Sequence, residues 1–258
     1  MHSKYAVDLT SDVELEALEN SIKAGEIPKH IAIIMDGNRR YAKETTGSGY
    51  DRGHRLGRDK LRDVAEWCGK LSIKYLTVYA FSIENFKRDP KEVAYIMGLL
   101  EESLYRFADN DEVHKNGISI NVIGDKTLLS KNILKAIDYA EERTKHNHSF
   151  FLNIAIAYGG RRDIMCAIRQ MLTDYQSGKF GITDLSEDMI SKHLSTRDVP
   201  DPDLIIRTSG ELRVSNFLLW QMAYSELYFT DTYWPAFSYK DFLRSIHSYQ
   251  QRNRRFGI

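Results

Sequence analysis

The sequence predicts a single α/β domain with a mostly parallel sheet that helices cover on both faces. Short runs of residues that are apolar on both faces occur six times along the chain, and amphipathic helical patterns separate them. The chain has 258 residues, which is enough for one large domain with a buried core. Neither a Pro/Gly-rich linker nor an internal repeat divides it.

The first predicted element is a helix within an N-terminal helical extension, residues 1–28. A capping-box pattern at Ser11 and Glu14 opens it, and Val13, Leu18 and Ile22 are expected to face inward. The predicted strands are 31–35, 75–81, 118–123, 151–157, 204–206 and 227–229. The other predicted helices are roughly 52–71, 90–108, 126–146, 161–177, 186–195 and 239–252, with one more that contains residues 217–220.

The charge of the chain is balanced in total but uneven along the sequence. There are 36 Lys and Arg residues and 36 Asp and Glu residues, and this balance argues against a protein that coats nucleic acid. Residues 36–62 carry eight basic residues against four acids, a net of +4, and residues 239–258 again carry a net of +4. Residues 1–27 offset them with a net of −4. Local anion sites therefore remain possible within the neutral total.

Compartment signals are weak and point to the cytoplasm. The longest apolar runs are far shorter than the roughly 18–20 residues that span a bilayer, and the N-terminus shows no apolar signal region. Cys68 and Cys166 lie far apart and outside any metal-like spacing, so they are expected to be free thiols in a reducing compartment.

Polar and charged side chains follow the predicted strands, at the edge where parallel sheets bind ligands. After the first strand comes Asp36-Gly37-Asn38-Arg39-Arg40, in which a carboxylate could hold Mg²⁺ while glycine, backbone amides and arginines hold a phosphate. A plain turn with solvated arginines is an equally weighted alternative. Residues 82–88 follow the second strand, where Ser82 or Asn85 could instead be a helix cap.

A second candidate anion site follows the fifth strand, where Arg207 and Arg213 occur with three hydroxyl side chains. The glycine pair at Gly159 and Gly160 is better explained as a structural helix start. Glu226 opens the last apolar strand, and a charged residue there usually has a partner. Two anion sites, an acid pair and apolar residues between them suit two phosphorylated substrates with apolar bodies.

These blocks, taken in order, resemble the cis-prenyltransferase family, which undecaprenyl diphosphate synthase typifies. The resemblance runs from about residue 30 to 257. Its blocks are residues 30–40, 53–54, 79–88, 153 with 158–161, 206–211, 215–221, 226–229, 234–235 and 255–257. Each block is weak alone, but their common order is highly specific.

The resemblance implies a mostly parallel six-stranded sheet, an apolar tunnel and a homodimer. The implied reaction is Mg²⁺-dependent, sequential condensation of isopentenyl diphosphate onto an allylic diphosphate, farnesyl or geranylgeranyl diphosphate, with each new double bond cis. The Z-polyprenyl product would be the precursor of a lipid glycan carrier, and through it the protein would contact a membrane surface peripherally. Ile96, Leu99, Leu100, Ile120 and Val122 are candidate tunnel walls.

The resemblance also assigns roles to residues. Asp36 and Asn85 would be catalytic, and Asp36 and Glu226 would hold the Mg²⁺. Because an amide is a poor base, Asn85 is expected to orient the substrate, a water or a phosphate oxygen. The implied substrate-binding residues are Gly37, Asn38, Arg39, Arg40, Tyr41 and His54 for the allylic diphosphate, Ser82, Ile83, Glu84, Phe86 and Arg88 around Asn85, Arg207, Arg213, Val214 and Ser215 for isopentenyl diphosphate, and Arg255 in a tail that reaches the partner subunit's site.

The sequence departs from the family pattern at three positions. Tyr41 stands where the family often has Trp or Phe, and Leu212 stands where many bacterial members have His. Tyr50 occupies a position that is Arg in many members, and Arg52 is the candidate replacement. The 82–88 block is closer to eukaryotic and archaeal members than to bacterial ones.

Two alternative functions are considered. A non-catalytic subunit of a heteromeric prenyltransferase would have eroded motifs, whereas this chain keeps the basic tail and all of Asp36, Asn38, Arg40, Asn85 and Glu226. A trans-prenyltransferase would need Asp-rich motifs, and no Asp-Asp-x-x-Asp occurs.

Overall fold

A computed structural model of the chain describes residues 12–47 and 49–252 and contains a six-stranded sheet of the order β3-β4-β2-β1-β5-β6. Each of the five strand pairs is parallel. The strands are β1 (His30–Ile34), β2 (Tyr75–Ser82), β3 (Ile118–Ile123), β4 (Phe150–Tyr158), β5 (Leu204–Arg207) and β6 (Glu226–Phe229). The helices within the described ranges are α1 (Asp12–Lys23), α2 (Asn38–Thr46), α3 (Tyr50–Lys70), α4 (Pro90–Ala108), α5 (Asp111–Lys115), α6 (Lys131–Thr144), α7 (Gly160–Gln176), α8 (Glu187–His193) and α9 (Tyr239–Gln250). The predicted fold class is confirmed, with a sheet that is entirely parallel.

The predicted helix around residues 217–220 is wrong. This apolar segment forms turns, and only a short 3₁₀ helix, Gln221–Tyr224, follows it. Asn216 and Leu218 have positive φ angles of 65° and 42°, which interrupt a right-handed helix. The segment is nevertheless buried at Phe217 and Leu218, which pack in an apolar cluster on one face of the sheet. An apolar run therefore indicated burial correctly but not the backbone conformation.

Other differences are smaller. Two helices, α2 and α5, were not predicted as separate elements, and the predicted helix 126–146 divides at Ser130, whose side chain caps α6. In α1, Ile22 is buried and Leu18 packs against the core as expected, but Val13 is exposed, so its predicted inward orientation is wrong. Gln250 of α9 holds the end of α1 by donating to the carbonyl oxygen of Ile22 at 2.9 Å.

The two faces of the sheet are covered unequally. A large apolar cluster packs one face against α3, α4, α6 and α9. The other face, called the thin face below, carries a small cluster in which Phe217 and Leu218 pack on Ala32, Ile34, Ala155 and Ile205 of the strands. One face is therefore a deep core, and the other is thin.

A ladder of polar side chains, three buried and one half-buried, crosses the thin face. His30 Nε2 lies 2.8 Å from Thr77 Oγ1, Asn153 Nδ2 donates to that hydroxyl at 3.3 Å, and Asn121 Nδ2 donates to Asn153 Oδ1 at 3.3 Å. His30 Nδ1 lies 2.6 Å from the carbonyl oxygen of Pro200. The ladder thus joins β1, β2, β4 and β3 through side chains as well as backbone, which satisfies polar groups that would otherwise be costly to bury.

In the part of the chain that the structure describes, no helix combines the length and apolar character needed to cross a membrane. Cys68 is buried and Cys166 is exposed, and both are free thiols, as expected.

Candidate active site

A cavity of about 960 Å³ opens at the carboxyl ends of β1, β2 and β5. It gathers most of the predicted site residues from three separate stretches of chain. The predicted residues that line it are Asp36, Gly37, Asn38, Arg39, Arg40, His54, Ser82, Glu84, Asn85, Arg88, Arg207, Arg213 and Ser215. Positive and negative groups are mixed, but the arginines dominate, so the cavity suits an anionic ligand.

The Asp36 loop is shaped by one glycine. Gly37 has a φ of 104° and precedes α2, and a Cβ there would lie 2.7 Å from Cδ1 of Tyr233. Only glycine tolerates both the left-handed angle and the contact. Its backbone N–H donates to Asp36 Oδ1 at 2.7 Å, so the turn also orients the carboxylate.

The Asp36 carboxylate lies between two guanidinium groups. Arg207 Nη2 donates to Oδ2 at 3.0 Å, and Arg40 Nη2 lies 3.3 Å from Oδ1. Arg40 also donates to Glu211 Oε1 at 3.2 Å. These contacts place acids and arginines from the ends of β1 and β5 in one network at the base of the cavity.

Arg207 is only 4% exposed and belongs to the end of β5. Its Nη1 donates to Ser215 Oγ at 2.8 Å and to the carbonyl oxygen of Arg213. Its Nε is buried without a partner among the described residues. A buried guanidinium with a free donor is costly by itself, which fits a site completed by an anion.

Ser82 and Asn85 combine the two roles considered for them. The Asn85 N–H donates to Ser82 Oγ at 3.2 Å, and the Ser82 N–H donates to Asn85 Oδ1 at 3.1 Å, so the pair caps the 3₁₀ helix Ile83–Lys87. Both residues also line the cavity. An irregularity in the pairing of β2 with β4 just before Ser82 redirects the chain toward the cavity. Because its Oδ1 is occupied, Asn85 is held in one orientation.

Four predicted residues do not line the cavity. Tyr41 is on the opposite side of α2 from Arg39 and Lys43, since a helix turns about 100° per residue. Phe86 packs edge-on against the core residue Phe81, and Val214 packs on the thin-face cluster. Ile83 also lies outside the lining. Their predicted roles in binding substrate therefore stay predictions, and Arg255 lies outside the described residues.

The predicted pairing of Glu226 with Asp36 is wrong within one chain. Glu226 is in register with Leu204 and Ile31, at the amino ends of the strands, whereas Asp36 follows their carboxyl ends. Glu226 is instead 2.7 Å from Arg252 Nη1. This ion pair agrees with the expectation that a charge opening an apolar strand has a partner. Glu226 and Asp36 themselves lie at opposite ends of the strands.

Arg52, the candidate replacement for the missing arginine, lies outside the cavity wall. Arg52 is exposed and does not line the cavity, whereas Tyr50 does. Lys43, one turn along α2 from Arg39, supplies a cation to the wall. Its place in the basic stretch 36–62 was the only sequence signal for it.

Two further residues of the site were missed. Glu92, buried in the first turn of α4, accepts from Arg88 Nη1 at 3.1 Å and lies 3.3 Å from His54 Nε2. Burial lowers the pKa of His54, and Glu92 opposes that shift. Asn216 lines the cavity, donates to Glu84 Oε1 at 2.9 Å and accepts from the Arg161 N–H at 2.9 Å. Apart from the pair of Arg88 with Glu92, these contacts join residues that are distant in sequence, so no local pattern signals them.

Among the described residues, two carboxylates line the cavity: the predicted metal ligand Asp36, and Glu84. The described residues contain no group of three or more His, Cys, Asp or Glu side chains that could hold a metal. Mg²⁺ is commonly bound through one or two carboxylates together with substrate phosphates. Asp36, beside an anion cavity, therefore fits Mg²⁺ that arrives with a phosphorylated ligand, and it does not fit a metal held by protein alone.

An apolar cavity of about 80 Å³ adjoins the anion cavity, sharing Met35, Ala80 and Ile96 with it. The predicted tunnel residues Ile96, Leu99 and Leu100 line it, and so does Leu104. Ile120 and Val122, the other two predicted tunnel residues, are buried in the main core and do not line this cavity.

Comparison with known proteins decides the family. A family model described as "Putative undecaprenyl diphosphate synthase" matches residues 34–257. The chain belongs to the cis-prenyltransferase family. It is 50% identical over 242 residues to the tritrans,polycis-undecaprenyl-diphosphate synthase (geranylgeranyl-diphosphate specific) of Methanocaldococcus jannaschii, covering 93% of this chain and 86% of the relative. The enzyme of the same name from Pyrococcus furiosus is 48% identical over 254 residues, with 98% and 94% covered.

A solved structure agrees with this membership. Lavandulyl diphosphate synthase from Lavandula x intermedia, in complex with dimethylallyl diphosphate, has a TM-score of 0.84 and 36% identity, covering 90% of this chain and 99% of that chain. This cis-prenyltransferase is therefore an enzyme that transfers prenyl groups, and the anion cavity with its apolar neighbour is its candidate active site.

Proposed function

We propose that this cis-prenyltransferase extends geranylgeranyl diphosphate with isopentenyl diphosphate, in a Mg²⁺-dependent reaction, to a Z-polyprenyl diphosphate. The observation that carries the proposal is the continuity between an arginine-rich cavity and an apolar one. A diphosphate head and a growing hydrocarbon tail need these two environments side by side. The choice of starter, over farnesyl diphosphate, follows the names of the two archaeal relatives.

The allylic diphosphate would bind at the amino end of α2. Backbone N–H groups there are free of helix partners, and Gly37 allows close approach. Arg40 would stabilise the negative charge that develops as the allylic C–O bond breaks. Bound at Asp36, Mg²⁺ would supply further electrostatic stabilisation of the leaving diphosphate.

Isopentenyl diphosphate would bind to Arg207, Arg213 and Ser215. Their fixed positions at the end of β5 would orient its double bond toward the allylic carbon, which is catalysis by positioning. Asn85, held by Ser82, would orient the group that removes the proton. Each added five-carbon unit is stabilised in an apolar environment by about 4 kcal/mol, so the tail would extend past Ile96 and Leu100.

We also propose a homodimer that covers the thin face of the sheet. Met165, Ile168, Leu172 and Tyr175 form an exposed apolar stripe on α7, whose first turn contacts the thin-face residue Tyr158 through Asp163. A second copy would bury this stripe. In such a dimer, Glu226 would bind Mg²⁺ at the second copy's cavity and not at its own. The tail with Arg255 would likewise reach the second copy's cavity.

The long apolar product suits a membrane lipid that carries glycans, and peripheral contact with a membrane would follow from handling it. The decisive experiment incubates the purified enzyme with geranylgeranyl or farnesyl diphosphate, isopentenyl diphosphate and Mg²⁺, and identifies products by mass. Elongation that stops on chelation of Mg²⁺ is expected. No elongation from either starter would instead favour a non-catalytic subunit.

A further inference from the structure

Glu92 is a buried carboxylate that contacts three cationic side chains. It is 2% exposed, in the first turn of α4. Its Oε1 is 3.1 Å from Arg88 Nη1 and 3.3 Å from His54 Nε2, and its Oε2 is 3.3 Å from Arg39 Nη1. A buried carboxylate is costly unless charged or polar groups surround it, so these contacts explain its burial.

The three partners share a second property. Arg39 belongs to α2, His54 to α3, and Arg88 lies two residues before α4, yet all three line the anion cavity. Glu92 itself does not line it. A ligand in the cavity would therefore meet the cationic groups, while the acid that holds them lies behind the wall.

The geometry separates this cluster from the one around Asp36. In the Asp36 cluster, Arg40 and Arg207 contact the carboxylates of Asp36 and Glu211. These two acids follow the carboxyl ends of β1 and β5. Arg39 is more than half exposed, and Glu92 is the acid it contacts. Without that anchor, the side chain would spread over many rotamers in the open cavity.

We propose that Glu92 is a positioning residue whose carboxylate holds Arg39, His54 and Arg88 in the orientation that binds a substrate diphosphate. This role rests on the proposed function of the cavity. A carboxylate that only screened the three cations would act in the opposite direction, because its removal would strengthen anion binding. The sign of the change on neutralising Glu92 therefore distinguishes positioning from screening.

The first test is calorimetric titration with sodium diphosphate, without added metal, of the wild type, Glu92→Gln and Glu102→Gln. Positioning predicts roughly tenfold weaker binding for Glu92→Gln, because charge-assisted contacts that orient the cations are lost. Glu102 is the matched control, since it lies on α4 and pairs with Arg58 at 3.1 Å outside the anion cavity. Unchanged or tighter binding by Glu92→Gln would overturn the proposal.

The second test is an NMR titration of the His54 ring, identified with a His54→Gln variant. Glu92, Arg39 and Arg88 are the charged groups that act on His54, and the Tyr50 ring lies beside it. Among these groups, Glu92 is the one that raises the pKa of His54. Glu92→Gln should therefore lower the His54 pKa, and Glu102→Gln should leave it unchanged. A loss of packing alone would not shift it in this direction, and an unchanged His54 titration would count against the proposal.

A double-mutant cycle tests whether Glu92 acts through Arg39. Arg39→Ala should weaken diphosphate binding less in the Glu92→Gln background than in the wild type, and additive effects would contradict the proposal. If Glu92→Gln does not fold, Glu92→Asp replaces it and should weaken binding by less than tenfold while the His54 pKa stays near the wild-type value. These measurements need no turnover, so failure of chain elongation would overturn the proposed function and leave them readable.

Discussion

Arg207 donates a 3.0 Å hydrogen bond to Asp36 across the gap between the carboxyl ends of β5 and β1. The contact joins the residue proposed to hold Mg²⁺ to one proposed to hold isopentenyl diphosphate. Because Arg207 is buried, the carboxylate that it orients has little freedom. The two proposed substrate sites are therefore coupled through one ion pair.

Asp36→Asn should reduce kcat/KM for elongation by more than roughly a hundredfold, as loss of a preorganised charged group at a reacting centre does. The amide retains the shape but neither attracts Mg²⁺ nor balances Arg207. Steady-state assays with geranylgeranyl and isopentenyl diphosphates measure the change. Asp125→Asn is the control, because Asp125 follows β3 and pairs with Arg162 at 2.7 Å away from the cavity. Equal losses in both variants would contradict a special role for Asp36.

Gly53→Ala should destabilise the enzyme by about 1–3 kcal/mol, as overpacking does. A Cβ at Gly53 would lie 2.2 Å from the carbonyl oxygen of Asn38, so α2 would have to move away from α3. Urea unfolding measures the loss, and elongation should slow because α2 carries Arg39 and Arg40. Gly69→Ala on the same helix meets no atom within 4 Å and should be neutral or stabilising by up to about 1 kcal/mol. A stable Gly53→Ala variant would be inconsistent with this packing.

Asn216→Gly should raise the KM for isopentenyl diphosphate, because Asn216 connects Glu84 to the start of α7 beside Ser215. Glycine keeps the left-handed backbone, φ 65°, and removes only the amide. Unfolding should show a loss of about 1 kcal/mol for the lost hydrogen bonds. Asn216→Ala should lose more, since it adds backbone strain. A KM that stays at the wild-type value in both variants would exclude this bridging role.

Stability should fall as the pH is lowered from 6.5 toward 4, because of His30. Burial lowers the pKa of His30 from 6.5 to about 4, so below pH 6.5 the unfolded chain binds a proton that the folded chain does not. The folded state should lose about 2 kcal/mol by pH 5 through this group. Denaturant unfolding at pH 7 and pH 5 measures it. His30→Gln should reduce the difference, whereas His148→Asn, at an exposed position, should not. An equal pH dependence in all three proteins would refute the assignment.

The strands could be predicted because each is a short apolar run, and burial of parallel strands on both faces needs such runs. The residues after β1, β2 and β5 could be predicted as a site because parallel strands end at a common edge. The conformation of 217–220 could not, because an apolar run is equally consistent with a helix and with buried turns. The separation of Glu226 from Asp36 depends on β6 running parallel to the other strands, and a mostly parallel sheet did not specify the direction of that edge strand.

Glu92 and Asn216 were missed for a different reason. Their roles depend largely on distant partners, such as His54, 38 residues from Glu92, and Glu84, 132 residues from Asn216. A sequence shows which side chains can form ion pairs, but the pairing itself is decided by tertiary packing. Arg52 shows the converse, since it had the right charge in the right stretch and faces solvent.

The polar ladder from His30 to Asn121 has a consequence for the precision of the active site. Aliphatic strands could shift relative to one another by two residues and still present apolar faces. Apolar packing alone therefore fixes their register only weakly. A histidine, a threonine and two asparagines that must meet across four strands admit one alignment, because any slip leaves buried donors and acceptors unmatched. The ladder lies in the middle and amino-terminal parts of the strands. Because it fixes the axial position of each strand relative to its neighbours, it also fixes where the carboxyl ends of the strands lie. Hydrogen bonds inside the sheet therefore help to fix the relative positions of Asp36, Ser82 and Arg207 at its carboxyl edge.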